Sequence, residues 1–135
     1  MAVFLNNGVV LTVNAVDLSD RCTAVTINRN FQELAVTAMG DSGVKAVKGL
    51  EESSITIDFL NDTASSEVLQ TLQGVWGTST TVTVKQTSAA TSATNPLYTM
   101  TCLVNGTTDI NGGVGDLGTQ SVTWNVNGTI AVSTS

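Results

Sequence analysis

Apolar residues in this chain recur on every second position, the period of a pleated strand with one face buried. Val9, Leu11 and Val13 alternate with Val10, Thr12 and Asn14, and Val25 and Ile27 with Thr26 and Asn28. Ile55, Ile57 and Phe59 enclose Thr56 and Asp58, while Val82 and Val84 lie between Thr81, Thr83 and Lys85. Tyr98, Met100, Cys102 and Val104 share one parity against Leu97, Thr99, Thr101 and Leu103. The clearest run is the last, in which Val122, Trp124, Val126, Ile130 and Val132 keep one parity with Ser121, Thr123 and Asn125 on the other. β-Branched residues at alternate positions suit a half-buried pleated surface.

The punctuation agrees with strands. Asn-Gly, the dipeptide best suited to the positive φ of tight hairpin turns, occurs at Asn7-Gly8, Asn105-Gly106, Asn111-Gly112 and Asn127-Gly128. One segment keeps a helical period instead: Val68, Leu69 and Leu72 fall on one face, with Trp76 able to extend it. Asp62 or Thr63 can cap its start and Gly74 its end, which predicts one short helix over about 63–73. Two stretches read as irregular surface loops: about 40–53, glycine-bearing and locally charged, and Thr87–Pro96, small and polar up to the only proline. The expectation is one all-β domain over 1–135 with a single short helix.

Composition sharpens this picture. Charged residues make up 12 % of the 135 and aromatics 4 %. The surface is therefore largely Ser, Thr, Asn and Gly, which suits a protein that spends its life packed against neighbours. The net charge is −6, and the basic residues Arg21, Arg29, Lys45, Lys48 and Lys85 form no run. Such a chain offers no patch to grip phosphates, so nucleic-acid binding through the backbone is not expected. The start, Met1-Ala-Val-Phe-Leu followed by Asn6-Asn7-Gly8, has neither the basic residues nor the apolar length of a targeting segment, and no stretch has the length of a membrane span. The glycosylation-like triplets Asn61-Asp62-Thr63, Asn105-Gly106-Thr107 and Asn127-Gly128-Thr129 read as turns.

Catalytic and metal chemistry find little support. Histidine is absent, which removes the commonest base and metal ligand. Cys22 and Cys102 read as buried free thiols, a disulfide requiring an oxidising compartment that nothing else suggests. Glu51 and Glu52 are adjacent, so on an extended chain they point opposite ways and cannot flank one bond. Asp109, Asn111 and Asp116 space oxygen ligands as a calcium loop does, but Gln120 stands where a bidentate glutamate is needed, and the three glycines read as a tight β connection. Trp76 and Trp124 could stack on sugars; both are expected in the core. No cofactor is implied and no enzymatic activity expected.

The order of features also carries a resemblance. It runs through Asp17-Leu18-Ser19, the strand Thr23–Asn28, Thr37-Ala38-Met39-Gly40-Asp41, the charged loop to Gly49-Leu50, and the strand Ser54–Phe59. The single helix and the closing Ser121–Gly128 follow. This resembles the major tail (tail tube) proteins of long-tailed bacteriophages with non-contractile tails, over nearly the whole chain. The resemblance implies a β-sandwich or β-barrel subunit of tail-tube type with a long inter-strand loop. It further implies rings that stack into a tube through which DNA passes without specific binding. Partners would be copies of the same chain, with tape-measure and tube-end proteins, in a virion tail assembled in the host bacterial cytoplasm. The long loop would reach a neighbouring ring, through Asp41, Val44, Lys45, Lys48, Leu50, Glu51 and Glu52. A capsid decoration or head–tail protein, and a carbohydrate-binding or adhesin module, are the alternatives.

Overall fold

The computed structural model describes residues 8–134. Met1–Leu5 and Asn7 of the Asn7-Gly8 pair lie outside the described residues. Ten strands and one helix follow in the order β1 (Val10–Val13), β2 (Val16–Asp17), β3 (Cys22–Asn28), β4 (Phe31–Ala35), β5 (Ala46–Glu51), β6 (Ser54–Leu60), α1 (Val68–Val75), β7 (Ser79–Lys85), β8 (Leu97–Leu103), β9 (Thr119–Asn125) and β10 (Ala131–Ser133). A five-stranded sheet runs β10-β8-β7-β1-β2, a three-stranded sheet β3-β6-β9, and β4 and β5 pair apart from both. All the strand pairs are antiparallel.

The alternating parity read from the sequence supplies the core. Leu11, Val13, Ile55, Ile57, Phe59, Val82, Val84, Met100, Cys102, Val122 and Trp124 are buried where the two larger sheets face each other. Val25 and Ile27 on β3 are partly buried against them. An isolated antiparallel bridge between Cys102 and Val126 closes one side of the sandwich. α1 adds Val68, Leu72 and Val75 to the same cluster.

Several local expectations need correction. The helix begins at Val68 rather than near Thr63, because Ser66 takes a left-handed φ of 62° that a helix cannot include. Asp62 caps a turn instead: its Oδ1 accepts the Ala64 amide at 2.9 Å. Gly74 lies inside the helix and Trp76 closes it. Trp124 is fully buried, its indole N–H donating to the Gly106 carbonyl at 3.2 Å, but Trp76 is 62 % exposed and is not a core residue. The stretch from Ala46 to Glu51 is a strand with one bulge, not irregular loop. The Asp109–Asp116 segment is part of a long excursion between β8 and β9 rather than a tight connection. Its polar groups serve turns: the Thr107 hydroxyl donates to Asp109, Gly113 N–H donates to Asp116, and Asn111 donates to the Thr119 carbonyl. Gln120, buried, ties this excursion down by accepting the Thr108 amide and donating to Asn61.

Candidate assembly surface

The exposed side of the three-stranded sheet follows from the same alternation that builds the core. With Ile55, Ile57, Phe59, Val122 and Trp124 turned inward, the outward rows are Thr26–Thr56–Thr123, Ala24–Asp58–Ser121 and Asn28–Ser54–Asn125. The hydroxyls of Thr56 and Thr123 lie 3.1 Å apart in one such cross-strand pair. Asp58 is the only charged side chain in these rows, and no lysine or arginine occurs there. The face is thus broad, hydroxylated and slightly acidic.

Both edges of this sheet are full length. Among the described residues, β3 and β9 each have β6 on one side and no strand on the other. By contrast, the edges of the five-stranded sheet are the two-residue β2 and the three-residue β10. Short edge strands present few unpaired amides, whereas long regular ones are templates for pairing with another chain. An open groove of about 670 Å³ runs beside the β3 edge, lined by Cys22, Val25, Ile27, Arg29, Val84 and Tyr98 among others.

Beyond the sheet, β4 and β5 form a hairpin that follows β3 and precedes β6 in the chain. The β3–β6 ladder ends at Asn28–Ser54, and pairing resumes at Phe31–Glu51. Phe31, Leu34, Val36, Met39, Val44, Val47 and Leu50 are all exposed on it. Every residue of β4 is exposed, so neither face of this strand packs on the sandwich. A lone two-stranded hairpin is only marginally stable in water, and among the described residues nothing covers the apolar side chains of this one.

The residues expected to make contacts between subunits all lie on this hairpin or at its root, but in different roles. Asp41 shapes the tip by accepting the Ala38 amide at 2.8 Å and pairing with Lys45 at 2.9 Å. Those two interactions, the amide foremost, hold its carboxyl below the usual carboxylate range. Val44 and Leu50 are exposed and apolar, as a contact requires. The Lys48 ammonium stands 5.7 Å from the Phe31 ring centroid. Glu52 accepts from the Gln32 side-chain amide at 2.6 Å. Glu51 turns back to the body: its Oε2 accepts the Ile130 amide at 2.9 Å and the Ser53 hydroxyl at 2.8 Å, which lowers its pKa. Sequence reasoning missed Phe31, Leu34 and Val36. Their signal was present, apolar residues interleaved with Gln32 and Glu33 just before the charged stretch, but no apolar partner run made the strand visible.

Cys22, at the start of β3, and Cys102, in the core, are free thiols. No helix among the described residues is long and apolar enough to cross a membrane.

No protein-family model matches the chain, and neither does any curated protein sequence. Solved structures do resemble it. A chain in the virion of a native gene transfer agent particle superposes with a TM-score of 0.78 at 10 % identity, covering 97 % of this chain and 99 % of that one. A chain in the tail of an empty gene transfer agent particle, of C6 symmetry, matches with a TM-score of 0.66 at 13 % identity over 84 % and 82 % of the two. A chain in the six-fold symmetrised baseplate of the anti-feeding prophage matches at 0.57 and 11 % identity over 99 % and 98 %. The all-β fold with one short helix is therefore that of chains found in phage-like tail particles.

Proposed function

We propose that this chain is a structural, non-enzymatic tail subunit that assembles with copies of itself into rings, which stack into a tube conducting DNA. The observation that carries the reading is the three-stranded sheet left open, among the described residues, along two full-length edges, with a hydroxylated, slightly acidic face between them. Pairing β3 of one copy with β9 of the next would continue the sheet around a ring and leave no edge unsatisfied. Contacts of this kind are head-to-tail and close by rotation. The C6 symmetry reported for the similar tail makes six the ring size to look for first.

In such a ring one face of the continued sheet is the sandwich core and the other lines the lumen. Rows of Thr, Ser and Asn with Asp58 alone charged would not hold phosphates, because counterion release needs clustered cations. DNA would slide past. The apolar hairpin would cover itself on a neighbouring subunit or ring, and tape-measure and tube-end proteins would cap the stack. The site of action is the tail of the virion, with assembly in the host bacterial cytoplasm.

Negative-stain microscopy of the purified protein tests this reading. Rings or tubes are expected, and a variant in which a two-residue turn replaces residues 31–51 should remain folded and yield none. Such a closure is short, since the Glu52 amide already donates to the Asn30 carbonyl at 2.6 Å. A uniform monomer at high concentration in several salts would count against the proposal. Exposed Trp76 keeps a carbohydrate-binding module in view. Saturable glycan binding lost in Trp76→Ala would favour it instead.

A further inference from the structure

The long ribbon that begins as β3 and β6 is broken once. Between the Asn28–Ser54 and Phe31–Glu51 pairs lie Arg29 and Asn30 on one strand and Glu52 and Ser53 on the other, outside both ladders. One backbone bond, Glu52 N–H to the Asn30 carbonyl, crosses the gap. A break of a few residues on both strands is where a ribbon can bend. Among the described residues, the hydrogen bonds of the hairpin up to Leu50 stay within it or reach Glu52. They do not fix its angle to the sandwich.

Glu51 does reach the sandwich. Its Oε2 spans the break to the turn that joins β9 to β10, where it accepts the amide of Ile130, a residue distant in sequence and 5 % exposed. The same oxygen accepts from Ser53, itself buried, whose carbonyl in turn accepts the Val126 amide. One carboxylate thus links the hairpin root to both ends of the 126–130 turn. The charged groups that face it are Arg29 and Lys48, both attractive.

We infer that Glu51 is a positioning residue whose carboxylate latches the hairpin root to the β9–β10 turn and so sets the angle at which the apolar hairpin leaves the sandwich. Its use, presenting the hairpin to a second copy of the chain, rests on the assembly reading above; the latch itself does not.

The test is amide exchange and residual dipolar couplings by NMR on dilute, unassembled protein, with wild type, Glu51→Ala and Glu51→Gln compared. In Glu51→Ala the Ile130 amide should exchange at least about tenfold faster, as for the loss of one charge-assisted bond. The hairpin couplings should cease to fit the alignment of the sandwich, while core amides such as those of Ile57 and Val122 keep their wild-type protection. Glu51→Gln, which retains an acceptor oxygen and is the variant to read if Glu51→Ala does not fold, should stay within about threefold of wild type. Unchanged Ile130 exchange and a common alignment in Glu51→Ala would overturn the latch, as would Glu51→Gln losing both over an intact core. Assembly is scored separately by microscopy. A wild type that never assembles sinks the tube reading and leaves the latch standing. A latch-free Glu51→Ala that assembles as wild type does denies the latch its role in presenting the hairpin.

Discussion

Gly49 packs against Gln32 across the hairpin so closely that a Cβ on Gly49 would stand 2.9 Å from the Gln32 carbonyl oxygen and 3.0 Å from its Cβ. The register between β4 and β5 shifts here, with Gln32 facing the extra residue of a bulge. Since the nearest atom is backbone, the strands must part to admit a methyl group.

Gly49→Ala is therefore expected to disturb the hairpin while sparing the sandwich, which Gly49 does not touch. The thermal midpoint should shift by no more than a few degrees, and rings or tubes should be lost or greatly reduced. Melting curves and microscopy on the same preparation check this. Wild-type assembly in the variant would show that the bulge geometry does not matter to the contact.

The β1–β2 turn stores removable strain. Asn14 and Ala15 both take left-handed φ values, 51° and 66°, as the favoured two-residue hairpin turn requires. Asparagine tolerates this region, and alanine does not. Ala15→Gly should stabilise the fold by about 0.5–1 kcal/mol net of the greater chain entropy of glycine, raising the melting temperature by a few degrees. A drop would mean that the alanine methyl makes a contact worth more than the strain.

The two thiols should differ in reactivity. Cys102 is fully buried, and burial pushes its thiol up to about 11, so little thiolate exists near neutrality. Cys22, at the start of β3 and partly buried, is shifted in the same direction for the same reason, with the Ala24 carbonyl accepting from its thiol. Alkylation at pH 8 of the native protein should label Cys22 slowly and leave Cys102 unmodified until denaturant is added. Labelling of Cys102 in the folded state would show that the sandwich opens on the side closed by the Cys102–Val126 bridge.

Acid should destabilise the protein through its bonded carboxylates. Asp62 is held low by the Ala64 amide first and then by Arg21, whose Nε donates at 2.7 Å; Asp41 and Glu51 are low for the reasons given above. A depressed folded-state pKa contributes stability that is present above the unfolded value and is lost as pH falls through the folded one. Stability should be flat above about pH 5 and decline below about pH 4, the ordinary carboxylate range. Asp62→Asn should flatten part of that decline. A pH-independent denaturation midpoint down to pH 3 would contradict these assignments.

How much of this was legible follows from which contacts lie inside the chain. The parity of Ile55, Ile57 and Phe59, or of Val122 and Trp124, is fixed by a core that the chain completes by itself, so alternation revealed it. Trp76 misled because its spacing extends the apolar face of α1, yet the helix ends at Val75 and turns the ring outward. Phe31, Leu34 and Val47 were obscure because none of the described residues buries them. A periodic signal is read as a strand when one face is apolar; here Leu34 faces Val47, but the Glu33–Lys48 pair shares the parity of Phe31 and a bulge breaks the register. The Glu51–Ile130 bond joins residues 79 apart and leaves no trace in local pattern.

The most direct measurement is hydrogen–deuterium exchange by mass spectrometry, comparing dilute subunits with purified assemblies. If sister copies complete the three-stranded sheet, amides of β3 and β9 should slow sharply on assembly, while those of Val82–Lys85 in β7 and Leu97–Thr99 in β8, already paired on both sides, should change little. Assemblies in which β3 and β9 exchange as fast as in the free subunit would contradict the account.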